Sequence, residues 1–180
     1  MLELILGGAR SGKSRYAESC VDANDKSSVL IATATADDDE MQQRIALHKK
    51  NRNNNIVVIE EPFQLANVLN ECIQNSQSIV VDCLTLWVSN LLLKYKENIE
   101  SSDEIVSFIN SLEEISKCKS SSIYIVSNEV GMGIIPLGEL NRIYCDVIGR
   151  LHQVIASHAQ RVTLMVAGLP HSIKNETNKL

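Results

Sequence analysis

Leu2-Glu3-Leu4-Ile5-Leu6 runs without interruption into Gly7-Gly8-Ala9-Arg10-Ser11-Gly12-Lys13-Ser14, and this junction constrains the fold more than any other stretch of the chain. The short apolar run reads as a buried strand. The next eight residues satisfy G-x-x-x-x-G-K-[ST], the phosphate loop, in the context its geometry requires, with a strand before and a helix after. Gly7 and Gly12 permit backbone conformations barred to other residues, so the N–H groups across Gly8, Ala9, Arg10 and Ser11 turn inward around an anion. Lys13 reaches toward the β- and γ-phosphates of a nucleotide, and Ser14 offers a hydroxyl to Mg²⁺. The helix starting there directs its positive end at the same anion. A chance match in a glycine turn is the alternative, and the flanking patterns speak against it.

The rest of the chain repeats the alternation. Apolar, β-branched runs at 2–6, 28–33, 56–59, 78–82, 122–127 and 161–167 predict strands. Between them lie stretches of 3.6-residue period, as in Leu84, Trp87, Val88, Leu91 and Leu92 on one helical face. Strands that are continuously apolar must be buried on both sides. The pattern therefore predicts an α/β P-loop fold with a mainly parallel sheet and helices on both faces. Residues 51–55 read as an abrupt helix end and 131–138 as a glycine-rich loop containing Pro136. Ligands of such folds bind at the carboxyl ends of the strands, which is where candidate residues are sought.

At 180 residues the chain suits one domain with a sizeable core. Hydrophobic residues at 44% and a net charge of −5 describe a soluble protein without the basic surface that bulk nucleic-acid binding needs. No apolar run is long enough for a bilayer, and the opening residues lack the charged start of a secretory leader. Cys20, Cys72, Cys83, Cys118 and Cys145 are odd in number and scattered, with no C-x-x-C. Free thiols in a reducing cytoplasm are expected rather than a disulfide framework or a zinc site.

Asp82 closes the run Ile79-Val80-Val81-Asp82 and reads as a Walker B carboxylate holding Mg²⁺ through water, with helix capping as its alternative. Acidic Asp37-Asp38-Asp39-Glu40 suits the first turn of a helix. That helix then carries Glu40, Arg44, His48 and Arg52 at i, i+4 spacing, one polar stripe opposite Met41 and Ile45. Spacing alone makes His48 one residue of a solvated face. Its chemistry suits a nucleophile, because a neutral imidazole attacks phosphorus and the neighbouring arginines balance charge. Ser127-Asn128-Glu129 follows the fifth strand and reads as either a nucleotide contact or a turn. His152, His158 and His171 have no ligand-like companions and read as incidental.

Together these stretches resemble the bifunctional adenosylcobinamide kinase/adenosylcobinamide-phosphate guanylyltransferase family. The resemblance runs in order over nearly the whole chain: the phosphate loop, Ala32-Thr33-Ala34, Arg44-Ile45-Ala46-Leu47-His48, Glu60-Glu61-Pro62, Asp82 through Leu91, then Ser127-Asn128-Glu129-Val130-Gly131 with Gly133 and Pro136. Arg142, Asp146, Gly149, Gln153 and Lys174 complete it. It implies a RecA-like P-loop fold assembled as a homo-oligomer, a trimer. It implies γ-phosphoryl transfer from ATP or GTP to adenosylcobinamide, then GMP transfer from GTP to that phosphate through a guanylylated histidine, here His48. Arg44 would clamp a phosphate, and Thr33, Ala34 and Glu60 would join the phosphate loop and Asp82 around the nucleotide. The chain departs from the family where Pro and Trp are usual, carrying Asn53 and Ile56, and has His152 where Asn is more common. Two rival readings are a P-loop small-molecule kinase without guanylyl transfer and a non-catalytic GTP switch. The second lacks an N-K-x-D stretch for guanine.

Overall fold

The computed structural model describes residues 1–21, 28–35 and 56–176. The expectations for residues 37–40, Arg44, His48 and residues 51–55 lie outside the described residues. The elements are β1 (Leu2–Gly7), α1 (Lys13–Ser19), β2 (Ser28–Ala32), β3 (Val57–Glu60), α2 (Leu65–Asn75), β4 (Ser78–Asp82) and α3 (Leu84–Tyr95). A 3₁₀ segment (Lys96–Ser101) follows, then α4 (Asp103–Lys117), β5 (Ser122–Asn128), α5 (Glu139–His158), β6 (Arg161–Val166) and β7 (Leu169–Asn175).

The strands form one seven-stranded sheet in the order β3-β2-β4-β5-β1-β6-β7. Every neighbouring pair is parallel except β6 and β7. All six expected strands are present, with ends shifted by a residue. The expectation missed β7. Leu169-Pro170-His171-Ser172 has too little apolar alternation to read as a strand, and its residues are mostly exposed on the sheet edge. The hairpin turn before it holds Ala167 and Gly168 both at positive φ, 52° and 81°. Type I′ turns require that conformation, but they are usually announced by Asn-Gly or Asp-Gly.

The two faces of the sheet are covered differently. Leu2, Leu4, Leu6, Ile31, Ile79, Val81, Ile123 and Ile125 pack under α2, α3, α4 and α5. On the opposite face Ile5, Leu30, Val80, Tyr124 and Val126 meet Ala17 of α1. Ile56, at one of the family departures, packs against this second cluster. One carboxylate sits inside β1. Glu3 has no exposed surface, and its Oε1 accepts from the Thr163 hydroxyl at 2.6 Å and the Tyr16 hydroxyl at 3.3 Å.

The apolar face of α3 is buried as its period predicts. Leu84, Trp87, Val88 and Leu91 are fully enclosed, and the Trp87 ring lies 5.1 Å from that of Phe108. Trp87 Nε1 also donates to Phe63 O at 2.8 Å, tying α3 to the turn after β3. Trp87→Ala therefore removes both a large buried volume and a donor. An unfolding loss of about 3–5 kcal/mol is expected, read from chemical denaturation midpoints.

Candidate active site

The strand order builds the site before any side chain is considered. With β5 between β4 and β1, the carboxyl ends of all three lie side by side. Gly7 is in register with Asn128, and Asp82 with Val126. The chain turns out of β1 at Gly7, where a side chain is impossible. At its φ of 155° an added Cβ would lie 2.6 Å from both Met165 O and Ser11 Oγ. Gly12, at φ 96°, caps α1, and a Cβ there would press to 3.3 Å on Gly168 of the β6–β7 turn. That turn is hydrogen-bonded to the loop, with Gly168 N donating to Ser11 O at 3.0 Å.

The loop rims a cleft of about 620 Å³ into which Arg10, Lys13, Ser14, Arg15, Asp82 and Asn128 contribute. Its volume falls within the range of small-molecule sites. Three cations against one carboxylate make it suited to a polyanion. Lys13 is only 7% exposed, and its Nζ donates to Gly8 O at 2.7 Å. Burial lowers its pKa, partly offset by the neighbouring Cys83 and Asp82. The Ser14 hydroxyl donates to Asp82 Oδ1 at 3.2 Å, bringing together the two residues expected to serve one Mg²⁺. The capping alternative for Asp82 is not adopted. The N-cap of α3 is Cys83, and no side chain bonds there.

Other candidates are placed differently. Thr33 is fully buried, donating to Cys83 O at 2.6 Å and accepting from Cys83 N at 3.0 Å. It holds the turn after Asp82, whose Asp82–Cys83 peptide is cis, rather than lining the cleft. Ala34 follows half-buried, and Glu60 ends the edge strand β3, three positions from β5 in the sheet. Burial pushes the Cys83 thiol up to about 11, so it is neutral and poorly nucleophilic at pH 7.

Sequence reasoning missed the residues that hold the strand ends. Thr85 Oγ1 accepts from Asn128 N at 2.7 Å, and Asn90 Nδ2 donates to Thr33 O at 2.8 Å and Pro62 O at 3.1 Å. Both are polar residues buried in an apolar helix, and that mismatch was the available signal. His152 is not incidental, since it is buried with Nε2 2.7 Å from Ser127 Oγ. Arg142 donates to Pro136 O and Leu137 O, and Lys174 to Ala156 O, so both satisfy backbone carbonyls.

A strand–loop–helix phosphate cradle on a mainly parallel sheet, with a strand-end carboxylate bonded to its serine, defines a P-loop nucleotide-binding protein. Residues 3–173 match the family described as cobinamide kinase / cobinamide phosphate guanyltransferase. The chain belongs to that family. It is 44% identical over 179 residues to the bifunctional adenosylcobalamin biosynthesis protein CobP of Pseudomonas aeruginosa, covering 98% of this chain and 99% of that protein. It is 36% identical over 183 residues to the bifunctional adenosylcobalamin biosynthesis protein CobU of Escherichia coli K12, covering 97% of this chain and 100% of that one. The corresponding CobU of Salmonella typhimurium LT2 is 35% identical over 183 residues, with the same coverage of both chains.

Proposed function

We propose that this chain phosphorylates adenosylcobinamide with ATP or GTP and then transfers GMP from GTP to the product, giving adenosyl-GDP-cobinamide. The observation that carries this reading is the family match over residues 3–173, in a chain whose phosphate loop and Asp82 share one cleft. In the first reaction the substrate hydroxyl oxygen bonds to the γ-phosphorus as the bond to the β–γ bridging oxygen breaks, the nucleoside diphosphate leaves, and the hydroxyl proton is released to solvent. Lys13 and the loop N–H groups bind and neutralise the triphosphate, which is most of what phosphoryl transfer asks of a protein. A hydroxyl and a carboxylate are the hard oxygen donors Mg²⁺ takes, so Ser14 and Asp82 fit the ion. When bound, it supplies further neutralisation of the phosphate charge.

In the second reaction an imidazole nitrogen of His48 bonds to the α-phosphorus of GTP and pyrophosphate leaves. A phosphate oxygen of the acceptor then displaces His48 from the same phosphorus, forming the diphosphate bridge. Two displacements through a labile P–N bond replace one between two anions. Arg44, four residues before His48 in the sequence, clamps the phosphate under attack. Thr33 supports the nucleotide site indirectly, by fixing the Asp82–Cys83 turn, and Ala34 and Glu60 would meet the nucleotide from the β2–β3 side of the sheet. No helix among the described residues is long and apolar enough to cross a membrane. In this reading the enzyme is cytoplasmic and works as a homo-oligomer, a trimer by resemblance.

Incubation with Mg²⁺, adenosylcobinamide and GTP labelled at either the γ- or the α-phosphate tests the proposal. γ-Label in cobinamide phosphate and α-label in the GDP-cobinamide product are expected. γ-Label alone would leave a kinase, and GTP binding without either transfer would leave a switch. For Asp82→Asn, apparent Mg²⁺ affinity in the kinase assay should fall about 10- to 100-fold, as for other residues that orient a bound ion.

A further inference from the structure

His152 touches both ends of the Ser127-Asn128-Glu129 strand terminus. Its Nε2 lies 2.7 Å from Ser127 Oγ, and its Nδ1 lies 3.8 Å from Glu129 Oε2. Ser127 Oγ is in turn 3.3 Å from Thr85 Oγ1, which accepts from Asn128 N at 2.7 Å. The other oxygen of Glu129 accepts from Gly131 N at 2.6 Å, fixing the first residues of the loop that follows. Asn128 itself lines the phosphate cleft beside Lys13 and Asp82. His152 does not reach that cleft. The ring is buried, 7% exposed, between β5 and α5.

Proton counting gives this chain a direction. The Glu129 carboxylate only accepts, so it draws the imidazole hydrogen to Nδ1 and leaves Nε2 to accept the Ser127 proton. Ser127 Oγ, its own proton used, accepts from Thr85, whose oxygen accepts from Asn128 N. Protonating the ring reverses the order. Nε2–H must then donate to Ser127 and Ser127 to Thr85, so the Thr85 hydroxyl has to turn its own proton away from Ser127 and reorient at Asn128 N.

We propose that His152 is a positioning residue for phosphoryl transfer, its neutral imidazole holding the Asn128 backbone through Ser127 and Thr85 so that Asn128 faces the nucleotide phosphates. The inference rests on the kinase reading above. Burial keeps the ring below the usual histidine range against the opposing pull of Glu129, which favours the neutral form. Of the other titratable groups on neighbouring elements, Tyr144 is bonded to Thr85 O and kept protonated by burial. Glu100 is paired with Arg150, and β1 presents leucines to this side of the sheet. The neutral-ring order of these hydrogen bonds therefore holds above the pKa of His152 and is replaced by the reversed order as pH falls through it.

The test measures γ-phosphoryl transfer to adenosylcobinamide from pH 5 to 8 for the parent, His152→Ala and His152→Gln, with NMR of ¹⁵N-histidine-labelled parent protein. Alanine should lower kcat about tenfold while the nucleotide KM moves less than about twofold. Glutamine places an acceptor oxygen where Nε2 stood, and that oxygen does not titrate. It should restore kcat to within about threefold of the parent and abolish the acidic loss of activity. The NMR signals should report hydrogen on Nδ1, and the parent's loss of kcat should track the titration of that ring. An unchanged kcat in His152→Ala, an acidic limb retained in His152→Gln, or hydrogen on Nε2 would overturn the proposal. Should either variant fail to fold, a mismatch between ring titration and activity in the parent overturns it equally. A parent enzyme that never phosphorylates adenosylcobinamide defeats the kinase reading instead, a result distinct from all of these.

Discussion

Lys13→Ala is expected to lower γ-phosphoryl transfer about 10³-fold without lowering the melting temperature. The size follows from what the residue does. A cation held in a cleft acts on charge in surroundings where water cannot screen it, and removing even one neutral donor from such a site costs about 10²–10³ in rate. Here Nζ is already folded back to within 2.7 Å of Gly8 O, so little reorganisation is needed to meet a phosphate. The stability half of the prediction has the opposite origin. Burial lowers the Lys13 pKa, so the charged form is less favoured in the folded protein than in the unfolded chain. Near neutral pH its charge therefore opposes folding, and the penalty shrinks only as pH rises through its lowered pKa toward the higher value of the unfolded chain. Kinase assays beside calorimetry of the same variant check both halves. A lowered melting temperature would mean the lysine serves the fold before the chemistry.

His48→Ala is expected to erase covalent labelling by α-³²P-GTP and to lower guanylyl transfer by at least about 10⁴-fold, on the scale of losing a catalytic nucleophile. Phosphorylation of adenosylcobinamide should fall less than about threefold, because that transfer needs positioning and charge but no covalent intermediate. The label in the parent protein should be acid-labile and alkali-stable, as a phosphoramidate is. Label that survives the substitution would point to another nucleophile. Cys83, the cysteine that lines the phosphate cleft, is a poor substitute with its thiol pushed up to about 11. Loss of label together with loss of kinase activity would place His48 in the architecture of the cleft rather than in one of its two reactions.

The parts of the fold that were legible share one property, in that their sequence pattern is also their environment. β1, β2, β4 and β5 are buried almost throughout, so they appear as apolar runs. The Trp87 face of α3 is buried along one side, so it appears as a period of 3.6. β7 was not legible because an exposed edge strand needs no apolar residues, and its turn uses Ala167 where Asn or Asp would have announced it.

The site divides along the same line. Local backbone geometry dictates the phosphate loop, since Gly7, Gly12 and Lys13 are spaced for a turn made within eight residues, and that requirement is written contiguously in the chain. The pairing of Ser14 with Asp82 spans 68 residues of sequence and arises because β5 separates β1 from β4, placing both strand ends at one cleft. Thr33 bears the same distinction. Its place beside the nucleotide motif was readable, but its clamp on Cys83 depends on β2 pairing with β4. His152 had no local signal at all. Its partners Ser127 and Glu129 lie at the end of β5 and just beyond it, and they become partners only when α5 packs onto the sheet and excludes water. What the sequence determined by itself was the chemistry that one turn of chain can hold. What the tertiary structure decided was which distant polar groups are buried together, because hydrogen bonds between them gain weight only once water is gone.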